Sequence, residues 1–369
     1  MTEQLLETVA RVAEPDEAVS IDELRLAARN SGLPLEALRY DVTPLGMHYL
    51  LVHYDIPHVD AGAWTLRVSG AVERELAISL EELRSRERVT TRVTLECAGN
   101  GRARLLPRPV SQPWLEEAVG TAEWTGTPLA PLLAEAGLLP SAVDVAFTGH
   151  DHGMERGVEQ DYARGLSVAD ATAPELLLAY EMNGVPLPPQ HGAPVRLVAP
   201  GWYGMASVKW LREITVLEEP FDGFQNTVAY RLKQSADEPG EPVTRIRPRA
   251  LLQPPGFPDF MTRTRLVDTG RHVLTGRAWS GMAPVSGVEV STDGGATWAA
   301  ASLGPSAGRW AWRSWSYEWE AAEPGAAVLC CRATDEAGNV QPVEQPWNRQ
   351  GMASNLVQRV PVVVRAPQT

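Results

Sequence analysis

The stretch VTLECAGNGR, Val93 to Arg102, decides the reading of the whole chain. Val93, Thr94 and Leu95 have strand character and deliver one cysteine, Cys97, into a loop of glycine and asparagine. Gly99, Asn100 and Gly101 are residue types that reach left-handed backbone angles at little cost. A side chain at a strand end is held firmly, while such a loop lets backbone N–H groups and Arg102 approach a ligand closely. A thiolate beside an arginine is favoured in its charged form, which makes it a nucleophile or a soft metal ligand. An isolated cysteine is more often a small buried hydrophobe. Here the flanking Glu96, Asn100 and Arg102 argue against an apolar pocket.

Outward from that loop, 369 residues exceed what a single core usually serves, which predicts two domains. Hydrophobic residues make up 44% and charged residues 21%, the balance of an ordinary globular chain. The net charge of -13, from 46 acidic and 33 basic side chains, excludes a nucleic-acid backbone as partner. It leaves room for a small anion in a locally positive pocket. Three cysteines build no disulfide framework, and Cys330 and Cys331, adjacent in AAVLCC, point to opposite faces of a strand. Both read as structural, leaving Cys97 as the chemically interesting thiol of a reducing compartment. MTEQLLETVARVAEPDE lacks a basic start and an apolar core, and no run approaches the ~18 apolar residues of a membrane helix. The chain therefore reads as cytoplasmic, with no membrane partner.

Local signals divide the chain further. Ser20 with Glu23 and Ser79 with Glu82 form capping boxes that open short helices, the first closed by Asn30, Ser31 and Gly32. Pro128 and Gly137 bracket a surface helix over LAPLLAEA. Tyr49 to Pro57, Trp64 to Val72, Val143 to Thr148 and Val195 to Val198 read as strands, and Val208 to Val216 as a strand or short helix. Asn183-Gly184 between apolar runs signals a hairpin. From Gln234 to about Pro248 the composition turns to Pro, Glu, Asp and Arg, a linker. Short strands follow, at Val273 to Ala278, Val288 to Ser291, Trp310 to Trp319, Ala327 to Ala333 and Val357 to Val364, with a turn at Asp293-Gly294-Gly295. Trp310 and Trp312 share one parity and Trp315, Tyr317 and Trp319 the other, which predicts a bulge or kink inside one strand. An immunoglobulin-like sandwich accommodates this half.

ECAGNGR resembles the molybdenum-ligand loop of the sulfite oxidase family, and HGAPVRLVAPGWYGMASVKWL, His191 to Leu211, resembles that family's pterin-cofactor segment. The resemblance runs from about residue 40 to the C-terminus, where the tail is similar to the family's dimerisation domain. It implies an α+β fold: a mixed α/β molybdopterin-binding domain over 1–245, with 1–40 an accessory segment, then an immunoglobulin-like dimerisation domain over 246–369. It also implies a molybdenum–molybdopterin oxidoreductase that transfers an oxygen atom with two electrons, sulfite to sulfate being the leading pair. One cysteine alone builds no zinc or iron–sulfur site; by resemblance a pterin dithiolene supplies two more sulfurs to the metal.

The resemblance assigns roles residue by residue. Cys97 is the protein's ligand to molybdenum. His53, Asp151, His191, Arg196, Ser207 and Lys209 contact the pterin and its phosphate, for which arginine and lysine offer charge-assisted donors. Tyr230 falls at the active-site tyrosine, and Arg102 at an arginine of the substrate pocket. A small anion is then the substrate, a separate acceptor takes the electrons, and the tail pairs two chains into a homodimer. His150 and His152 flank Asp151 and offer a competing zinc site, which the resemblance leaves unassigned.

Two positions depart from the family's pattern. Leu51 stands where an arginine precedes the histidine by two residues, and Gln350 stands where an arginine precedes the glycine after Trp347-Asn348. A charge-assisted hydrogen bond is worth about 1.5–3 kcal/mol. Two absent ones lower affinity for a dianion by about two to four orders of magnitude. Arg349 is the neighbour placed to compensate. Three alternatives remain: a reductase of sulfoxides or similar small oxo compounds on the same fold, a cysteine hydrolase using Cys97 with His191, and a non-catalytic binding module.

Overall fold

Val89–Glu96, the strand that ends at Cys97, is the edge strand of the first of two sheets framing the site. The computed structural model describes residues 11–344 and 347–366, so residues 1–10 of the N-terminal stretch read above lie outside it. Val89–Glu96 pairs antiparallel with Val119–Pro128, in register from Val89↔Gly126 to Glu96↔Val119. Val119–Pro128 continues to Leu177–Met182, which also pairs with Val185–Pro186 and Arg196–Val198. The hairpin after Met182 turns on Asn183 and Gly184 at φ 54° and 77°, the left-handed angles this dipeptide favours.

The second sheet runs in the order Leu76–Ser79, Thr65–Gly70, Leu211–Leu217, Asp144–Glu155, Val158–Ser167. Its inner residues Leu66, Val145 and Ile214 share one core with Leu178 and Leu197 of the first sheet and with helix Leu129–Ala136. Each such leucine, fully buried, contributes about 1.5–3 kcal/mol. Both capping boxes form, opening Ile21–Arg29 and Leu80–Ser85, and Gly137 closes Leu129–Ala136 at φ 72°. Among the described residues no helix is long and apolar enough to cross a membrane.

The later strands build a sandwich of a four-stranded and a six-stranded sheet. Leu274, Trp315, Val290, Leu329 and Val362 meet between them. Cys331 joins that core, while Cys330 is buried outside it, as alternation requires. The α+β architecture with a β-sandwich is thus the one observed.

Two strand expectations are corrected. Tyr49 to Pro57 forms no strand; only Leu50 makes a bridge, to Ser31. Its polar groups are claimed from elsewhere: Val52 N donates to Asn30 Oδ1 at 2.8 Å, and Lys209 Nζ donates to Leu51 O at 2.7 Å. The tryptophan-rich strand is Arg313–Ala321, paired without a break against Gly270–Trp279 from Ala278↔Arg313 to Gly270↔Ala321. No bulge is needed because Trp310 and Trp312 precede the strand. They lie along the outer edge of Val89–Glu96, where Thr94 N donates to Trp310 O at 2.8 Å and Trp312 N donates to Thr94 Oγ1 at 2.7 Å.

The sandwich also reaches the Cys97 loop through charge. Arg249, on Arg249–Leu252, places Nε 3.0 Å from Oε1 of Glu96, with both side chains 1% exposed. Trp279 Nε1 donates to Glu96 Oε2 at 2.7 Å and Asn100 Nδ2 to Oε1 at 3.0 Å. The N-terminal segment is likewise built in: Glu23 pairs with Arg108, and Arg29 Nη2 donates to Tyr54 O at 2.6 Å.

Candidate functional site

Cys97 follows immediately on Glu96, and its loop is locked by one asparagine. Asn100 Oδ1 accepts from Ala118 N at 3.0 Å, while Cys97 N donates to Ala118 O at 2.9 Å. Of the three loop residues expected at left-handed angles, Gly101 alone takes one, at φ 89°. Gly99 serves by its lack of a side chain, since a Cβ there would lie 2.6 Å from Arg102 Nη2. The thiol opens onto a cavity of about 650 Å³, mouth included, which extends to His191 and Lys209.

The electrostatic expectation for Cys97 is reversed. It belongs to a buried cluster with Leu95, Ala118 and Val198, and Trp114 stands beside it. Burial pushes the thiol up, and the nearby Arg102 charge offsets this only in part. A thiolate here needs a cation closer than Arg102, as a bound metal provides.

Opposite Cys97 the wall is basic. Arg196 is 5% exposed and gives Nη1 to His191 O at 3.0 Å and Nη2 to Ser207 O at 2.9 Å. Ser207 Oγ accepts from Ala199 N at 3.1 Å. Lys209 Nζ holds Leu51 O at 2.7 Å and Gln190 O at 3.3 Å. These cations are buried rather than solvated: burial brings Lys209 down to about 7 and Arg196 to about 10. His191, in the turn Pro189–His191, is pressed to about 2 by burial and then by His48, Arg196 and Lys209, so its imidazole is neutral. Asp151 is raised to about 7 by burial, against the pull of Lys209.

A third wall is aromatic. Tyr230 Oη and His53 Nε2 lie 3.2 Å apart, and the His53 ring sits 5.0 Å from that of Tyr162. Burial holds the Tyr230 phenol far above its ordinary value, so it remains an O–H donor. The cavity thus gathers Cys97, His53, Asp151, His191, Arg196, Ser207, Lys209 and Tyr230. Arg102 is not among its lining residues. Its guanidinium is 5% exposed and is spent on Gln350 O at 2.8 Å, Gln112 O at 3.2 Å and Met352 Sδ at 3.4 Å. Leu51 does line the cavity, and Gln350 turns its amide to Val228 O at 3.1 Å.

His48, Tyr49 and Tyr162 line the cavity without having been singled out. His48 stands 5.5 Å from the His191 ring. The signal available was the doubled His-Tyr, His48-Tyr49 and His53-Tyr54, but its geometry depends on Gly120, where a Cβ would lie 2.6 Å from the His48 ring. The zinc alternative fails on partners: His152 binds Asp161 at 2.9 Å and Glu159 at 3.1 Å at the surface. Among the described residues no group of three His, Cys, Asp or Glu side chains is arranged to hold a metal.

The donor set fits a large anionic cofactor with one sulfur ligand from the chain. Asp151 Oδ1 is buried without a hydrogen-bond partner, on a residue that lines the hollow together with Arg196, Lys209 and Ser207. Unsatisfied buried polar atoms of this kind call for a ligand or water.

Comparisons with known proteins agree. Residues 53–225 match the family model of the oxidoreductase molybdopterin binding domain, and residues 260–365 that of the Mo-co oxidoreductase dimerisation domain. The chain is 36% identical to the sulfite oxidase of Gallus gallus over 350 residues, 86% of this chain and 72% of that protein. It is 34% identical to the mitochondrial sulfite oxidase of Homo sapiens, spanning 88% of this chain and 62% of that one. With the NAD(P)H nitrate reductase of Hordeum vulgare it shares 32% identity, over 92% of this chain and 41% of the reductase. The crystal structure of the sulfane dehydrogenase SoxCD from Paracoccus pantotrophus superposes with a TM-score of 0.78 at 25% identity, covering 97% of this chain and 88% of that one.

Proposed function

Because this chain belongs to the sulfite oxidase family of molybdopterin oxidoreductases, with molybdenum–molybdopterin as cofactor, we propose that it catalyses two-electron oxygen-atom transfer and oxidises sulfite to sulfate. The observation that carries this reading is the single hollow joining the Cys97 thiol to the basic wall and to the Tyr230–His53 pair. When bound, the cofactor supplies the oxo group and takes up the electron pair.

The chain's own residues position and stabilise. Cys97 would hold the metal; Arg196, Lys209, His191, Ser207 and Asp151 would hold the pterin and its phosphate. Tyr230, kept protonated by burial, would offer its O–H to the substrate, with His53 donating Nε2–H to the phenol oxygen and orienting it. Arg102 favours an anion through its field rather than by direct contact, because its donors are already spent. We further propose a catalytic part over 1–245, a dimerisation part over 246–369 that pairs two chains, and a separate protein or small-molecule acceptor for the electrons.

A second reading rests on one observation: the apolar residue Leu51 lines the cavity. That favours a less charged oxo compound, such as a sulfoxide to be reduced. Steady-state assays with sulfite and a dye acceptor, set against methionine sulfoxide with reduced viologen, separate the two. Sulfite-dependent dye reduction, lost in Cys97→Ser with pterin retained, is the expected result. Turnover of the sulfoxide without sulfite oxidation would reverse the assignment.

A further inference from the structure

One buried charge has no use in the account above. Arg164 lies on Val158–Ser167 two residues after Tyr162, so the two side chains share the inner face of that strand. Tyr162 packs its ring 5.0 Å from that of His53, and Arg164 sets its guanidinium carbon 5.7 Å from the centre of the Tyr230 ring. The strand thus backs both members of the His53–Tyr230 pair. Arg164 is 2% exposed, its Nε has no partner, and it pairs with no carboxylate among the described residues. A guanidinium keeps its proton even there, which leaves a positive charge buried against the phenol ring.

The same guanidinium grips the main-chain bonds that hold Tyr230. Gln225–Ala229 is a single turn of π-helix that ends on Tyr230, whose N donates to Gln225 O at 3.3 Å. Arg164 Nη1 donates to that same carbonyl at 2.6 Å. Tyr230 O in turn accepts from Val243 N at 3.0 Å, and Arg164 Nη2 donates to Val243 O at 3.2 Å. Asn226 stitches the turn to the strand, giving Nδ2 to Gly165 O at 3.1 Å and accepting from Gly165 N at 3.2 Å. Single π-turns are rare and recur at functional sites. Here one arginine supplies the charged donor to both carbonyls that bracket the tyrosine.

We propose that Arg164 is the positioning residue of Tyr230: it clamps the π-turn and sets a positive charge against the ring, which fixes the phenol O–H and strengthens it as a donor. This rests on the reading of Tyr230 as a donor to the substrate. Arg164 is not among the residues lining the cavity, whereas Tyr230 is, so the arginine acts through the tyrosine alone. A nearby positive charge polarises an O–H toward its ionised form. A donor fixed before the reaction spends nothing on reorganisation, and misplacing such a group by about 1 Å costs about 100-fold in rate.

The test uses the cofactor-loaded protein with a ring-fluorinated tyrosine in place of Tyr230, followed by fluorine NMR with Arg164 present and in R164K and R164Q. One narrow resonance is expected with Arg164 present. R164Q removes the charge and should split or broaden the line; R164K keeps the charge and should return a single line near the original shift. The second arm is a kinetic cycle on whichever of sulfite and the sulfoxide turns over. kcat should fall about 10- to 100-fold in R164Q and about three- to tenfold in R164K, with KM within about threefold. In the Y230F background the same substitutions should change kcat by less than about twofold, because no O–H is left to position. Where R164Q does not fold, the R164K cycle decides. A folded R164Q with an unchanged resonance overturns the proposal, as do losses of equal size with and without the Tyr230 hydroxyl. A disturbed resonance, with losses confined to the protein that has the hydroxyl and turnover of the sulfoxide only, supports the clamp while removing sulfite as substrate.

Discussion

Removing the buried charge pair beside Cys97 should show how the sandwich supports the Cys97 loop. Glu96 and Arg249 are each 1% exposed, and Nε lies 3.0 Å from Oε1, yet Arg249 Nε and Nη1 meet no hydrogen-bond geometry there. The carboxylate is instead satisfied by Trp279 and Asn100, and Arg249 Nη2 by Ser354 O. Neutralising either partner strands the other charge in the interior. Glu96→Gln and Arg249→Met should therefore each lower stability by about 3–5 kcal/mol. Made together they strand no charge. The double variant should lose about 3–5 kcal/mol rather than the sum of about 6–10, a coupling of about 3–5 kcal/mol. Urea midpoints of the four cofactor-loaded proteins, at matched metal and pterin content, give the cycle. Losses that add within about 0.5 kcal/mol would refute the coupling and leave only separate packing effects.

Anion binding by the cofactor-free protein should weaken as pH rises. Lys209, brought down to about 7, sheds its positive charge, and Asp151, raised to about 7, gains a negative one over the same range. Both changes make the cavity less attractive to an anion; sulfate affinity should fall severalfold from pH 6 to pH 8, and Asp151→Asn with Lys209→Met should flatten the dependence. Gly99→Ala introduces a Cβ 2.6 Å from Arg102 Nη2 at a non-left-handed φ, so it should displace the guanidinium without straining the loop. The Michaelis constant for an anionic substrate should rise several-fold, with metal content unchanged; an unaltered constant would remove Arg102 from substrate attraction.

Short-range devices were legible in the sequence. Ser20 with Glu23, Ser79 with Glu82 and Asn183-Gly184 carry their partners within a few residues, so pattern and structure coincide. Cys97 was legible too, because a strand ending in a small-residue loop is a local motif. Tyr49 to Pro57 misled because its apolar alternation is real while its hydrogen-bond partners, Asn30 and Lys209, come from far along the chain. The parity change among the tryptophans was real as well, but Trp310 and Trp312 answer to Thr94 rather than to a strand neighbour. Proton affinities were the least legible. The arginine beside Cys97 promised a thiolate, whereas burial dominates the metal-free thiol.

The contact of Trp310 and Trp312 with Thr94 has a consequence for dissection of the protein. Val89–Glu96 lies at the border of its sheet, and Trp310 and Trp312 occupy the Thr94 N–H and hydroxyl that it would otherwise offer to water. Cut from its C-terminal half, the cofactor-binding half would bare a strand able to recruit other chains. Shuffling C-terminal halves among relatives would then succeed only where the donor brings its own equivalent of those two residues to cover that border.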